Sequence, residues 1–343
     1  MSAPIPMLQT EVLARPLPLK RGVPLPNRFA KAAMSEQLAE RDGSPSAGLI
    51  QLYRRWAGSG AGLLISGNVM VDGKALGEPG NVWVEDGRHL PILRRWVEAA
   101  KSRGAQFWMQ INHPGRQSPR SLSKQPVAPS ALAVKAGGQF NVPRALTSPE
   151  IQEIVERFGR TATVAREAGF DGAQIHGAHG YLVSQFLSPR TNLREDEWGG
   201  DPVRRRRFLL EVIRSVHRHA GADFPLGLKL NSADFQRGGF SEDECVGVLE
   251  SLEAEGVDLV ELSGGTYESA AMVLGGREDV QESTRHREAY FVDFAERART
   301  RTPLPLMVTG GFRTAAGMAD AVSSRAVDVV GLARPMALEP DLP

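Results

Sequence analysis

The chain has 343 residues, of which 41% are hydrophobic and 24% charged, and its formal net charge is +1 at pH 7. These values are typical of a globular protein with a sizeable core, and they give no reason to expect nucleic acid or an anionic membrane as a partner. The one cysteine, Cys245, excludes an internal disulfide, a cysteine-ligated iron–sulfur cluster and a cysteine-ligated structural zinc within these residues.

The first residues lack a basic segment followed by an apolar run, and no stretch of about 18 apolar residues occurs anywhere. We therefore expect no signal peptide and no membrane span. A cytoplasmic location is the default expectation.

Strand-like and helix-like patterns alternate after an extended, proline-punctuated lead-in over residues 1–27. The predicted strands are 28–34, 60–69, 105–111, 172–176, 225–230, 257–262, 304–308 and 326–332. The predicted helices are 46–57, 86–101, 147–168, 201–220, 241–255, 287–299 and 314–322. Within the helix 201–220, the basic run 204–207 is interpreted as a solvated, ion-paired face.

Eight strands separated by helices predict right-handed crossovers and a closed, parallel (β/α)8 TIM barrel. We expect one domain over residues 1–343, with a long insertion at 113–148 after the third strand and a short or missing final helix. A Rossmann fold is rejected because the glycine-rich segment 58–62 precedes a strand instead of joining a strand to a helix.

Polar residues cluster at the predicted carboxyl ends of the strands, where TIM barrels carry their chemistry. The segment 170–200 is central, because a short apolar run ends at His176 and is followed closely by His179 and Tyr181. The other strand-end residues are Ser35, Gly67, Asn68, Gln110, Lys229, Ser263, Gly310, Gly311 and Arg334.

A phosphate site is predicted after the last two strands. Backbone N–H groups at Gly310 and Gly311 can approach an anion, and Arg334 can donate to the same group. The alternative is a tight left-handed turn beside a surface arginine. Together with Gln110 and Lys229, the pattern suggests a phosphorylated cofactor that has a polar ring.

Three other interpretations are considered at this point. His176 and His179 could bind zinc with Asp171 or Glu195, but a spacing of three at a strand end does not place both imidazoles on one face, so we expect no metal site. A purely structural histidine pair is not excluded. A non-redox, phosphate-binding lyase or isomerase could use Lys229, the only lysine at a predicted strand end, to form a Schiff base.

A series of blocks in one order resembles the old yellow enzyme family, which are FMN-dependent ene-reductases built on a (β/α)8 barrel. The blocks are His176-Gly-Ala-His179-Gly-Tyr181-Leu, Gln185-Phe-Leu-Ser-Pro, Asn192-Leu-Arg-Glu-Asp-Glu-Trp-Gly-Gly200, Asn27-Arg28, His113-Pro-Gly-Arg116, Val127-Ala-Pro-Ser130 and Val308-Thr-Gly-Gly311. The resemblance runs from about Leu17 to the end of the chain.

The resemblance implies which residues bind FMN. Ser35 would lie near the flavin O4/N5 edge, Gln110 would pair with the pyrimidine edge, and Lys229 would face N1/O2. The full implied set is Ala33, Met34, Ser35, Gly67, Gln110, Lys229, Gly310, Gly311, Ala333 and Arg334. Ser35 stands where branches of the family have Cys or Thr, and Gln37 stands where one branch has a substrate-contacting Tyr.

The resemblance also implies a ping-pong reaction, in which NADH or NADPH reduces FMN and an α,β-unsaturated carbonyl compound then takes the hydride. His176 and His179 would hydrogen-bond the carbonyl, and Tyr181 would protonate the α-carbon. Demethylating or dienoyl-CoA-reducing relatives typically carry an iron–sulfur cluster, which the single cysteine disfavours. Homo-oligomerisation is left open.

Overall fold

The structure is a computed structural model that describes residues 10–135, 138–265, 268, 291–312 and 314–343. Its central feature is a closed barrel of eight parallel strands. They are β1 (Phe29–Lys31), β2 (Leu63–Ile65), β3 (Gln106–Asn112), β4 (Gly172–Gly177), β5 (Leu226–Asn231), β6 (Leu259–Ser263), β7 (Leu306–Thr309) and β8 (Val329–Leu332). β1 pairs with both β2 and β8, which closes the sheet. The predicted TIM barrel is confirmed.

Helices surround the barrel in the expected alternation. They are α1 (Ala47–Ala57), α2 (Leu90–Lys101), α3 (Ser148–Ala168), α4 (Arg207–Ala220), α5 (Glu242–Glu255), α6 (residues 291–299), α7 (Ala315–Ser323) and α8 (Arg334–Leu338). The first four residues of the predicted helix 287–299 lie outside the described residues. As expected, α8 is short, with five residues.

Local chemistry explains where α3 begins and ends. Thr147 and Glu150 form a reciprocal capping box, so two otherwise unpaired backbone N–H groups are satisfied. Gly169 ends the helix in the left-handed region, with φ of 96°. α5 begins with the same type of capping box, made by Ser241 and Glu244.

Shorter elements interrupt the simple alternation. The predicted strand 60–69 is two separate strands, since β2 ends at Ile65 and Val69–Met70 pairs with the end of β3. The predicted helix 201–220 is divided at Arg206 into Pro202–Arg205 and α4. The other short elements are Glu11–Ala14, Val82–Trp83, Gly87–His89, Gly115–Gln117, Val127–Ala128, Arg144–Ala145 and Leu182–Leu187.

The interpretation of residues 204–207 as a solvated face is wrong for Arg205. Its guanidinium is buried, donates to the Leu187 carbonyl at 3.0 Å and pairs with Glu244. Arg204 is exposed and bonds to Asp201 at 2.7 Å, as predicted. Two adjacent arginines therefore have different environments, since Arg204 faces solvent and Arg205 faces the interior.

The amino end of the barrel interior is apolar and closely packed. Trp108 on β3 lies there, and a Cβ atom at Gly172 or Gly227 would come within 2.8 or 3.0 Å of its ring. Glycine at these two positions of β4 and β5 therefore makes space for the indole. Leu259 and Met307 belong to the same buried cluster.

The lead-in is not simply extended, because part of it closes the amino end of the barrel. Leu17 and Leu25 form an antiparallel bridge with two backbone hydrogen bonds of 2.9 Å. Both leucines are buried in the interior cluster. The end of the barrel that can receive a ligand is therefore the carboxyl end.

Specific contacts hold the described part of the predicted insertion 113–148. Val127–Ala128 pairs in parallel with Arg144–Ala145. The Arg194 guanidinium donates to the carbonyls of Pro129 and Leu146, at 3.2 and 2.5 Å. These contacts fix the insertion to the segment that follows β4.

Across the described ranges, no helix has both the length and the apolar character needed to cross a membrane.

Candidate active site

His176 is the next-to-last residue of β4 and is buried. Its Nδ1 accepts a hydrogen bond from the Ala178 backbone N–H at 3.2 Å, which places the ring hydrogen on Nε2. Burial, followed by the charges of His179 and Lys229, lowers the pKa of His176 well below its ordinary value. His176 is therefore a neutral N–H donor at neutral pH.

His179 lies in the turn after β4 with a left-handed φ of 60°. Its backbone N–H donates to Asn231 Oδ1 at 3.2 Å, and its Nε2 lies 2.7 Å from Ser263 Oγ. Burial and the nearby charge of Lys229 lower the pKa of His179 to about 3. When Ser263 donates to Nε2, the hydrogen of this neutral imidazole is on Nδ1.

Tyr181 completes a cluster with the two histidines. Its side chain is 4% exposed, and its ring centroid lies 4.8 Å from that of His176, while the two imidazole centroids are 5.1 Å apart. Asn68 Nδ2 donates to the phenol oxygen at 3.5 Å. The structure thus brings the three predicted catalytic residues together at the carboxyl end of β4.

Gln110 and Lys229 extend into the barrel from β3 and β5. The backbone N–H of Gln110 donates to Ser66 Oγ at 2.9 Å, and its Nε2 donates to Gln174 Oε1 at 2.7 Å. Lys229 is the register partner of His176 across β4 and β5. The predicted ring-edge residues therefore lie beside the predicted catalytic residues.

Sequence reasoning missed Glu261, which is fully buried in β6. Its carboxylate bonds to Lys229 Nζ at 2.8 Å and to Thr309 Oγ1 at 2.7 Å. The available signal was a charged residue between apolar neighbours in a buried strand, because such a residue needs a partner.

The turns after β1 and β2 pack closely against each other. A Cβ atom at Gly67 would come within 2.2 Å of the Met34 carbonyl oxygen. Ser35 is half-buried and donates to the Glu78 carboxylate, while burial raises the pKa of Glu78. Ala33 packs on the apolar interior cluster.

A second lysine, Lys31, also lies at a strand end, which corrects the expectation that Lys229 was alone there. Lys31 is the last residue of β1, but it is buried against α1, with its ammonium group 4.4 Å from the Trp56 ring centroid. It pairs with Glu36 at 3.1 Å and donates to the Tyr53 hydroxyl at 2.9 Å. Burial lowers the pKa of Lys31.

The predicted phosphate residues lie directly after the neighbouring strands β7 and β8. Gly310 and Gly311 have φ values of 100° and 88°, and a Cβ atom at Gly310 would meet no atom within 4 Å. The Gly310 N–H bonds to the Gly331 carbonyl at 3.4 Å, which places the turn beside the end of β8. There Ala333 is half-buried and Arg334 exposed. Gly310 therefore borders open space at the same end of the barrel as Arg334.

The zinc interpretation with Asp171 is not compatible with the fold. Asp171 precedes β4 at its amino end, where it bonds to the Phe107 N–H at 2.9 Å and to Lys101 at 2.6 Å. His176 is at the opposite end of the same strand. In the parts of the chain that the structure describes, no three His, Cys, Asp or Glu residues are grouped as metal ligands.

The residues present at the carboxyl end fit a flavin nucleotide. Gln110 and Lys229 provide an amide and a cation for a polar ring, and the open cradle at Gly310 suits a phosphate. The backbones at Gly67 and Met34 lie so close together that position 67 has no room for a side chain, and the backbone there is left bare.

Several solved structures have the same barrel. A 2-naphthoyl-CoA reductase complexed with 2-naphthoyl-CoA aligns with a TM-score of 0.89 and 26% identity, over 97% of this chain and 52% of that chain. The old yellow enzyme homologue from Zymomonas mobilis aligns with a TM-score of 0.81 and 25% identity, over 96% and 91%. Morphinone reductase in complex with tetrahydroNAD gives 0.78 and 27%, over 96% and 89%. Fold and site thus define an oxidoreductase barrel of the old yellow enzyme type.

The chain belongs to the NADH:flavin oxidoreductase / NADH oxidase family, whose model matches residues 13–343. It is 38% identical to the NADH-dependent flavin oxidoreductase iliE of Hypocrea jecorina over 350 residues, covering 96% of this chain and 87% of the relative. It is 37% identical to iliE of a Neonectria species and 35% identical to the NADH oxidase of Thermoanaerobacter brockii, covering 96% and 92% of this chain. The chain spans 46% and 48% of those two relatives, about half their length. Flavin and a nicotinamide reductant are the cofactors of the family.

Proposed function

We propose that this chain is an FMN-dependent ene-reductase, which takes reducing equivalents from a nicotinamide nucleotide and reduces the activated C=C bond of an α,β-unsaturated carbonyl compound. The supporting observation is the cluster of two neutral imidazoles and a buried phenol beside Lys229. The names of the Hypocrea jecorina and Neonectria relatives favour NADH over NADPH. We also propose that residues 1–343 form one domain.

The proposed FMN-binding residues divide into two groups. The ring would be held by Ala33, Met34, Ser35, Gly67, Gln110 and Lys229, and the phosphate by Gly310, Gly311, Ala333 and Arg334. When bound, FMN accepts hydride from the nicotinamide nucleotide and supplies it to the alkene. Lys229 places positive charge near the ring and favours the reduced, anionic form.

His176 and His179 bind and polarise the substrate carbonyl in this proposal. A neutral imidazole N–H withdraws electron density from the carbonyl oxygen and stabilises the negative charge that develops there as the β-carbon is reduced. The His176 tautomer supports this role, because the Ala178 N–H occupies Nδ1 and leaves the hydrogen on Nε2.

Tyr181 is the proposed general acid that protonates the α-carbon. Phenols keep their proton at neutral pH, so the side chain is in the donor state. Contact with Asn68 and with the His176 ring holds the phenol in the same cluster as the carbonyl-binding imidazoles.

Two measurements test the proposal. The purified protein is expected to be yellow, with a flavin spectrum that NADH bleaches and cyclohexenone restores. A protein that binds no FMN, or whose reduced flavin no enone reoxidises, would contradict the proposal.

Tyr181→Phe separates the proton donor from the rest of the reaction. Anaerobic stopped-flow is expected to show flavin reduction by NADH within about twofold of the wild type, and reoxidation by cyclohexenone slowed roughly 100-fold or more. The reductive half-reaction is the internal control for folding and flavin content. Unchanged reoxidation by the enone in Tyr181→Phe would show that Tyr181 is not the acid.

A further inference from the structure

A buried chain of polar side chains crosses the barrel, with Glu261 at its centre. Glu261 Oε1 accepts from Lys229 Nζ at 2.8 Å and from Thr309 Oγ1 at 2.7 Å. Its Oε2 accepts from Gln174 Nε2 at 2.9 Å. Gln174 Oε1 in turn accepts from Gln110 Nε2 at 2.7 Å. One carboxylate thus connects strands β3 to β7.

The chain has a fixed hydrogen-bond direction. An ionised carboxylate only accepts, so Gln174 turns its Nε2 toward Glu261 and its Oε1 toward Gln110. Gln110 therefore donates with one of its two N–H bonds. Its carbonyl oxygen and second N–H remain for a ligand at the carboxyl end of the barrel.

Glu261 also balances the charge of Lys229. The two residues are register partners on β6 and β5, with exposures of 0% and 4%. Charges this deeply buried are weakly screened by solvent and salt. Removal of the carboxylate would leave Lys229 to act on the flavin without compensation.

We propose that Glu261 is a positioning residue that sets the reduction potential of the flavin. It does so by offsetting the charge of Lys229. Through Gln174 it also orients the Gln110 amide, which supports binding of the flavin rather than its potential. The inference rests on the proposed placement of FMN against Gln110 and Lys229, but it does not require that an alkene is the oxidant.

The test is the two-electron midpoint potential of the FMN-loaded protein, measured by anaerobic titration against a reference dye. Glu261→Gln keeps the shape and removes the charge, whereas Glu261→Asp keeps the charge. Asp258→Asn is the matched control, since Asp258 is a buried carboxylate beside the first residue of the same strand, at the opposite end of the barrel.

In Glu261→Gln, the preference of the protein for reduced over oxidised FMN is expected to rise at least tenfold, a positive shift of about 30 mV for a two-electron couple. Glu261→Asp and Asp258→Asn are expected to stay within about threefold of the wild-type preference. A wild-type potential in Glu261→Gln, or an equal shift in Asp258→Asn, would overturn the inference.

Gln174→Leu tests the amide half of the inference and does not depend on the folding of the Glu261 variants. It leaves the ion pair in place and cuts the link to Gln110. Oxidised FMN is expected to dissociate about tenfold more readily, with the potential little changed. Wild-type FMN affinity in this variant would show that the amide link is wrong. Failure of the wild type to reduce enones would contradict the proposed function alone, because these potentials would still be measurable.

Discussion

Three histidines near the carboxyl end of the barrel are buried or half-buried. Burial is the largest cause of the lowered pKa of His113, His176 and His179. For His113 the pKa falls to about 4 and for His179 to about 3. Neutral rings can donate hydrogen bonds here without bringing a positive charge close to Lys229.

The lowered pKa of His113 makes stability depend on pH. In the unfolded chain this imidazole titrates near its ordinary pKa of 6.5, and in the folded chain near 4. Between these values the unfolded chain binds more protons, so the free energy of unfolding falls as the pH falls from about 6.5 to about 4. His113→Gln is expected to lose on the order of 1–2 kcal/mol less than the wild type between pH 7 and pH 5.

Thermal unfolding at the two pH values measures this difference. His89→Gln is the control, because His89 is partly exposed whereas His113 is buried. If His113→Gln and the wild type lost the same stability on acidification, His113 would not be the group that titrates.

Among the elements of the barrel, the same type of contact recurs at the amino end of four strand pairs. An Asn or Asp side chain one or two residues before β1, β4, β6 or β8 accepts a hydrogen bond from a backbone N–H at or beside the start of a neighbouring strand. The contacts, each 2.9 Å long, are Asn27 with Gly62, Asp171 with Phe107, Asp258 with Leu226 and Asp328 with Leu306. These contacts hold adjacent strands in register at the end opposite the active site.

Asp171→Ala is expected to destabilise the fold by about 1–3 kcal/mol, because it leaves the Phe107 N–H without its acceptor and Lys101 without its carboxylate. Asp171→Asn should cost less, since its amide oxygen can still accept from Phe107. Denaturant unfolding of the two variants measures the difference. Equal losses would mean that the backbone contact contributes little.

The turn after β2 has a steric requirement that a small substitution would violate. In Gly67→Ala, the new methyl group would displace Met34 and the neighbouring Glu36 carboxylate, which lies 2.0 Å from the Cβ position. FMN affinity is expected to fall at least about tenfold, because the turn after β1 must move. Gly48→Ala is the matched control, since its Cβ would meet only Ser46 Oγ, at 3.6 Å. Retained affinity in Gly67→Ala would show that this close approach is not needed for binding.

Local signals predicted α3 and α5 well, since their capping residues lie within three positions of the helix start. They did not predict the break of the strand 60–69. Ser66 Oγ accepts from the Gln110 N–H and donates to the Gly67 carbonyl, so the chain turns where a distant strand supplies the partner. Contacts of this kind are not encoded in local hydrophobic pattern.

At the scale of the whole molecule, the insertion 113–148 is joined to the segment after β4 rather than to the barrel wall alone. Arg194 donates to two carbonyls of the insertion, and Ser130 Oγ accepts from the Leu193 N–H at 2.9 Å. The insertion and the segment that follows β4, where substrate binding is proposed, are therefore connected by direct hydrogen bonds.

Arg194→Ala is expected to release the insertion. Limited proteolysis followed by mass spectrometry should show cleavage within residues 113–148 several-fold faster than in the wild type. Arg204→Ala, which changes an exposed arginine on the following short helix, is the control. Equal cleavage rates in the wild type and Arg194→Ala would show that other contacts hold the insertion.

Local patterns in the amino-acid sequence predict the barrel, the alternation of its elements and the grouping of His176, His179 and Tyr181. These features follow from hydrophobic period, capping residues and the rule that the carboxyl ends of parallel strands meet. The block of residues around His176 also identified the family, which the comparison with the family model confirmed.

Which inward-facing residues meet depends on the folded barrel and cannot be predicted from the local pattern. A period of two assigns a side chain to a face of its strand, but barrel closure and register select its partner on another strand. Glu261 therefore has Lys229 and Gln174 as partners because β4, β5 and β6 are neighbours in the closed barrel. Arg205 is buried because the fold brings it against Glu244 and the Leu187 carbonyl. The hydrogen-bonded chain beneath the proposed flavin site is a product of that closure.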